Sequence, residues 1–157
     1  MAAAFLLPCI QALVYYPVLP EVMAGHFADD GHPNGWSSKF AFFTIYFAIL
    51  LSLTGGFFWL PRFLGKLPGA AIHLPHKQYW LTGERREQTL DFIYRKLQWA
   101  GIVTLLFLAS ILQLVIDANM GPVRKLNTPL FLLLMGVYYL YLGVWAVGFW
   151  KQFRHIS

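Results

Sequence analysis

The sequence predicts an all-α, polytopic membrane protein with four transmembrane helices, and three observations carry that reading. The 157 residues are 58% hydrophobic and only 12% charged, with mean hydropathy +0.55, against roughly 25% charged residues in soluble domains. Four apolar stretches, each free of Asp, Glu, Lys, Arg and His, approach the roughly 20 residues that a span requires. The basic residues are distributed unevenly between the segments that join them, as membrane topology demands. The lipid bilayer is therefore the first expected partner. The net charge of +5 does not point to nucleic acid, because the basic residues flank apolar runs instead of forming one polar patch.

The first stretch is Ala2 to Leu19. It lacks a basic leader, Pro8 interrupts its middle and Tyr15-Tyr16-Pro17 is a poor cleavage site, so it reads as a retained, kinked span and not as a signal peptide. Cys9, the one cysteine, excludes an intrachain disulfide and a paired-cysteine metal or redox motif. The second stretch is Phe40 to Leu60, the third Leu97 to Ile116 and the fourth Pro129 to Trp150. Within the fourth, Tyr138 and Tyr141 share a helix face and are expected to pack or hydrogen-bond between helices.

Orientation follows from Lys and Arg alone. The loop over 20–39 holds Glu21, Asp29, Asp30 and only Lys39. The loop over 61–96 holds Arg62, Lys66, Lys77, Arg85, Arg86, Arg95 and Lys96. Arg124 and Lys125, between the last two stretches, are a minor counter-signal; Lys151 and Arg154 lie in the tail. The rule puts loop 61–96 and both termini in the cytoplasm and loop 20–39 outside. The chain then forms one transmembrane helical domain over 1–157.

Within the cytoplasmic segment, Leu67-Pro68-Gly69 to His76 reads as irregular. Thr82 is the expected helix N-cap, with Glu84 and Glu87 favourable to the helix dipole. Asp91 and Arg95 form an i,i+4 pair. No Pro or Gly falls between Glu84 and Ala100, so the third transmembrane helix is expected to extend into the cytoplasm, unbroken from Gly83 to Ile116.

The outer loop is dense in turn-forming and aromatic residues: Tyr16-Pro17-Val18-Leu19-Pro20-Glu21, His26-Phe27, and Gly31-His32-Pro33-Asn34-Gly35-Trp36. Asp-Gly and Asn-Gly pairs favour positive-φ turns, with Pro33 stiffening the chain between them. A defined shape with His26 hydrogen-bonded inside it is expected. His26, Asp29, Asp30 and His32 have metal-ligating chemistry, but no His-x-x-x-His or His-Glu-x-x-His pattern occurs. An EF-hand alignment from Asp30 puts Ala41 where Glu is required. No metal and no cofactor are expected.

Residues Leu19-Pro20, His26-Phe27, Gly31, Asn34-Gly35-Trp36 and Ser38-Lys39 resemble the extracytoplasmic signature of DUF1648, a family of bacterial membrane proteins. Pro75-x-Lys77-x-Tyr79-Trp80-Leu81 and Glu84-Arg85-Arg86-Glu87 are similar to a second, cytoplasmic signature of its short members. The family's best-known relatives include an immunity protein against a secreted peptide toxin, which also takes part in signalling. The resemblance implies a multi-pass protein of the bacterial cytoplasmic (inner) membrane with a binding or regulatory role, immunity- or signalling-like.

Two sets of residues follow as candidates. Pro20, His26, Phe27, Gly35, Trp36 and Lys39 form a candidate recognition loop for a peptide or another membrane protein, with Lys39 holding the loop's end at the lipid headgroups. Tyr79, Trp80, Glu84, Arg85 and Arg86 form a candidate cytoplasmic docking segment. No nucleophile–base pair or phosphate loop appears, and the apolar stretches lack the ionisable residues on which transporters rely; an enzyme is not expected. The competing expectation is an accessory subunit of a larger membrane assembly.

Overall fold

The computed structural model describes residues 1–67 and 72–154. Pro68, Gly69 and His155, parts of the irregular segment and the tail considered above, lie outside the described residues. Five helices and one hairpin follow in order: α1 (Ala2–Tyr15), β1 (Val22–Phe27), β2 (Pro33–Ser38), α2 (Lys39–Leu64), α3 (Lys77–Trp80), α4 (Arg85–Met120) and α5 (Thr128–Arg154).

The chain is mostly helical, and α2, α4 and α5 are long and apolar enough to cross a membrane. The first apolar stretch differs from its sequence reading. Its helix ends at Tyr15, and Val18 and Leu19 both donate back to the Tyr15 carbonyl in a closing turn, because Pro17 cannot continue the helical ladder. Fourteen residues reach about 21 Å, less than a hydrocarbon core of about 30 Å.

The unbroken third helix is present: α4 has 36 residues without interruption. Its start differs, since Thr82 makes no cap. The Thr82 hydroxyl turns back to the Gln78 carbonyl (2.8 Å), Glu84 occupies the N-cap position without a side-chain cap, and Gly83 takes φ +55°.

Helix α4 is the axis of the molecule, and α1, α2 and α5 all pack on it. One core joins Leu19, Met23 and Phe43 to Leu112, Val115 and Ile116; a second joins Ala4, Leu50 and Leu105. Polar side chains reinforce the apolar seams. Gln11 donates to the Ala109 carbonyl (3.1 Å) and to Gln113 (2.9 Å), which donates to Asp117 (2.8 Å). Gln98 donates to the Phe57 carbonyl of α2 (2.7 Å). Tyr138 behaves as its spacing predicts: its hydroxyl meets Thr104 at 3.0 Å and its ring stacks on Phe107 at 4.2 Å.

Half of the most apolar window of α4 is buried, and none of that of α5. Helix α5 thus keeps its apolar surface outward, as expected of a helix solvated by lipid. The two ends of the bundle also differ in charge. Nine of the twelve Lys and Arg residues belong to the end formed by the α2 C-terminus, α3, the α4 N-terminus and the α5 C-terminus. The hairpin forms the other end.

Candidate recognition site

The all-α reading is corrected at residues 22–38, where the loop over 20–39 holds a two-stranded antiparallel sheet. The register pairs Val22 with Ser38, Met23 with Ser37, Ala24 with Trp36, His26 with Gly35 and Phe27 with Pro33, with irregularities on either side of His26. An isolated two-stranded hairpin is marginal in water. This one is held by three anchors to the helices.

Asn119, 4% exposed at the C-terminal end of α4, is the first anchor. Its Oδ1 accepts from the Ala24 N–H at 2.8 Å, and its Nδ2 donates to the Ala24 carbonyl at 2.9 Å and to the Val115 carbonyl at 2.8 Å. The side-chain amide thus acts as a third strand on the outer edge of β1. Arg124 extends this cover. Its guanidinium donates to the Val22 carbonyl (3.2 Å) and lies 5.1 Å from the Trp36 ring.

Lys39 is the second anchor. Its side chain is turned inward and is 6% exposed. Its ammonium donates to the Leu19 carbonyl (3.1 Å), pairs with Glu21 (3.0 Å) and lies 4.7 Å from the Tyr16 ring. Its own N–H donates to the Glu21 carbonyl at 2.8 Å. One side chain therefore joins the end of α1 to the start of α2. A cation at a helix N-terminus opposes the dipole, and the partners on the α1 side offset that. Ser38 caps α2 by accepting from the Ala41 N–H (3.2 Å).

The hairpin tip is the third anchor. Gly31, at φ +85°, closes a turn by donating to Ala28, and its carbonyl accepts from Leu126 N–H at 2.9 Å. A Cβ there would lie 2.7 Å from the Leu126 oxygen, so the tip docks through bare backbone. Asp30 accepts from the His32 N–H (2.9 Å). His26 Nδ1 hydrogen-bonds Asn34 Oδ1, the internal bond expected of it. Asn34-Gly35 is not the positive-φ turn: Gly35 lies in β2, where a Cβ would come within 2.8 Å of the His26 Cβ.

The six loop candidates thus separate. Pro20 and Lys39 belong to the base of the hairpin, while His26, Phe27, Gly35 and Trp36 belong to its body. His26 and Phe27 also line a crevice of about 470 Å³ against Val115, Leu126, Thr128 and Phe131, and Thr128 Oγ1 is buried without a hydrogen-bond partner among the described residues. Asn119 and Arg124 escaped sequence reasoning. The one signal for Asn119 is a primary amide at the end of an otherwise apolar run.

At the opposite end, Trp80 donates to the Phe153 carbonyl (3.3 Å) and meets the buried Phe153 ring edge-on at 5.6 Å. Arg85 lies 4.1 Å from the Tyr79 ring. Arg86 is half-buried, and its Nη2 donates to the Gly65 (3.0 Å) and Leu67 (2.9 Å) carbonyls beyond α2. Glu84 is exposed at the first turn of α4. Asp91 and Arg95 form the expected pair, at 2.6 Å.

These features define a membrane-type helical protein whose N-terminal third carries an anchored hairpin. Residues 3–50, covering α1, the hairpin and the first turns of α2, match the family described as Domain of unknown function (DUF1648). Over that segment the chain is similar to the family, as the motifs of loop 20–39 suggest; the second motif, over 75–87, lies beyond the match. No curated protein and no solved structure matches the chain.

Proposed function

We propose that this protein is a non-enzymatic, multi-pass protein of the bacterial cytoplasmic membrane that recognises a peptide or protein partner through its hairpin. In this reading α1 and its closing turn complete a fourth pass, both termini and the basic end face the cytoplasm, and the hairpin faces outward. The concentration of Lys and Arg at one end supports that orientation.

The observation that carries the recognition reading is the asymmetry of the hairpin's edges. Lys39 N–H bonds the Glu21 carbonyl, so in an antiparallel ladder the Ala24–Trp36 pair falls at a position where both residues turn their backbone groups outward. On the β1 side those groups are taken by Asn119. On the β2 side, among the described residues, nothing caps those of Trp36, which is 49% exposed. An extended segment can add to such an edge through main-chain hydrogen bonds. The three anchors pre-order the edge, which lowers the entropy lost on binding. The role is immunity- or signalling-like in that capturing a segment outside the membrane is its central act.

A photo-crosslinking amino acid at Trp36 should give a discrete polypeptide adduct in cells, and one at the exposed Trp59 of the other end should not. Replacing His26 and Trp36 together by Ala should abolish partner capture while membrane-inserted yield persists. Collapse of yield, or capture unaffected, overturns the reading. Cysteines placed at Ser38 and Gln78, with Cys9 removed, should label from opposite sides of the membrane. The outward apolar surface of α5 favours a second reading, an accessory subunit packed in a larger assembly. Migration of the untagged protein as one fixed large complex in native gels would select it.

A further inference from the structure

The basic end carries two hollows between α4 and α5 that share Phe92 and Arg95 as a common wall. The outer one, about 450 Å³, is lined in part by Arg85, Gln88 and Gln152. The deeper one, about 760 Å³, begins at Arg95 and Lys96 and continues along Trp99, Val103, Tyr141 and Val144. Along α4 the lining passes from charged to apolar between Lys96 and Trp99. At about 1.5 Å per residue, Val103 lies roughly 12 Å deeper than Arg95. That is the polarity profile of a phospholipid, with the phosphate outermost and an acyl chain below.

The floor is preformed. Trp145 of α5 donates to the Lys96 carbonyl of α4 at 3.0 Å, which pins the two helices together beside the basic pair. Three cations, Arg85, Arg95 and Lys96, line the two hollows with no carboxylate among the lining residues; Asp91, 55% exposed, pairs with Arg95 from outside them. The balance is positive, and the Arg95 side chain keeps 65% of its surface open. The Lys96 ammonium lies 5.6 Å from the Phe92 ring, at the mouth of the groove. Basic pockets between transmembrane helices are suited to anionic headgroups.

We propose that one anionic phospholipid of the adjacent leaflet occupies this double hollow, its phosphate held by Arg95 and Lys96 with Arg85 at the outer rim, and one acyl chain lying along Trp99, Val103 and Tyr141. The proposal rests on the chain residing in a membrane, but not on hairpin recognition, which a separate assay reads.

Native mass spectrometry of the full chain, released from nanodiscs of equal phosphatidylglycerol and phosphatidylcholine, tests it. The wild type should retain one phosphatidylglycerol in clear excess over phosphatidylcholine. Arg95→Gln with Lys96→Gln should reduce that preference roughly thirtyfold, as expected when two basic residues near a charged surface are lost at about 1 kcal/mol each. Lys125→Gln, at the exposed surface of the hairpin end, should leave it unchanged. Val103→Trp fills the groove with every charge intact and should also expel the lipid, so the test survives if the double variant fails to fold. Equal retention of the two lipids by the wild type overturns the proposal. So does a preference that Val103→Trp leaves intact, or a polypeptide retained in the groove in place of lipid.

Discussion

The hairpin end and the basic end solve opposite problems with similar residues. At the hairpin end, polar side chains face inward and bond backbone: Asn119 to Ala24 and Lys39 to Leu19. At the basic end, cations lie over aromatic rings, pair at the surface or bond part-exposed backbone: Arg62 over Phe58 (3.8 Å), Arg85 over Tyr79 (4.1 Å), Arg95 with Asp91, Arg86 with the Gly65 and Leu67 carbonyls. Buried bonds to backbone fix a shape, because breaking one strands a desolvated group. Exposed ion pairs and ring contacts cost little to exchange, so that end can accept an anionic surface without losing its fold.

The sharpest way to break this contrast is Asn119→Leu. It removes three hydrogen bonds and leaves the Ala24 N–H and carbonyl buried without partners. The expected loss is about 2–4 kcal/mol, since each unsatisfied buried group costs about 1–3 kcal/mol. Thermal unfolding in detergent should show that loss, and hydrogen exchange at residues 22–27 should accelerate well before the α4 amides are affected. If those amides stay protected, Asn119 is not what holds the hairpin.

Lys39→Met comes next. The Leu19 carbonyl loses its donor, but Glu21 is 88% exposed and returns to water at little cost. The expected destabilisation is therefore about 1–2 kcal/mol, less than for a fully buried pair. Lys39→Arg should recover part of it, because a guanidinium can still reach both oxygens. An effect as large as that of Asn119→Leu would mean that Glu21 is held far more tightly than its exposure implies.

Why one end was legible in the sequence and the other only partly so follows from the same contrast. The long spans and the unbroken α4 were legible because twenty uncharged apolar residues, or a helical pattern with no Pro or Gly from Glu84 to Ala100 leading into a span, admit few structures. The Asp91–Arg95 pair and the bonding of Tyr138 were legible because helical spacing is local. The hairpin was read as a shaped loop and not as a sheet. Its strands are six residues each, rich in Gly, Pro and Ser, and its third pairing partner is an amide 95 residues away. The inward turn of Lys39 was not legible for the same reason. A lysine at a span boundary normally snorkels to the interface, and only the tertiary position of Leu19 and Glu21 draws it inward. The same holds for Arg86: its sequence neighbours suggest a solvated helix face, whereas the end of α2 supplies its acceptors.

The smallest effect on stability, and the finest test of the contrast, belongs to Asp91→Asn. Both partners of this i,i+4 pair are more than half exposed, so the exchange should cost no more than about 0.5 kcal/mol, far less than either anchor at the hairpin end. Its consequence for binding should run the other way. Asp91 is the carboxylate that competes for Arg95, so neutralising it frees the guanidinium for a phosphate and should raise the preference for phosphatidylglycerol severalfold, with little change in unfolding temperature. At high salt the gain should shrink, because an exposed charge acts only within a screening length of about 8–10 Å. A stability loss comparable to that of Lys39→Met would show that the basic end, too, is held by fixed ion pairs. An unchanged lipid preference would remove Arg95 from the headgroup site.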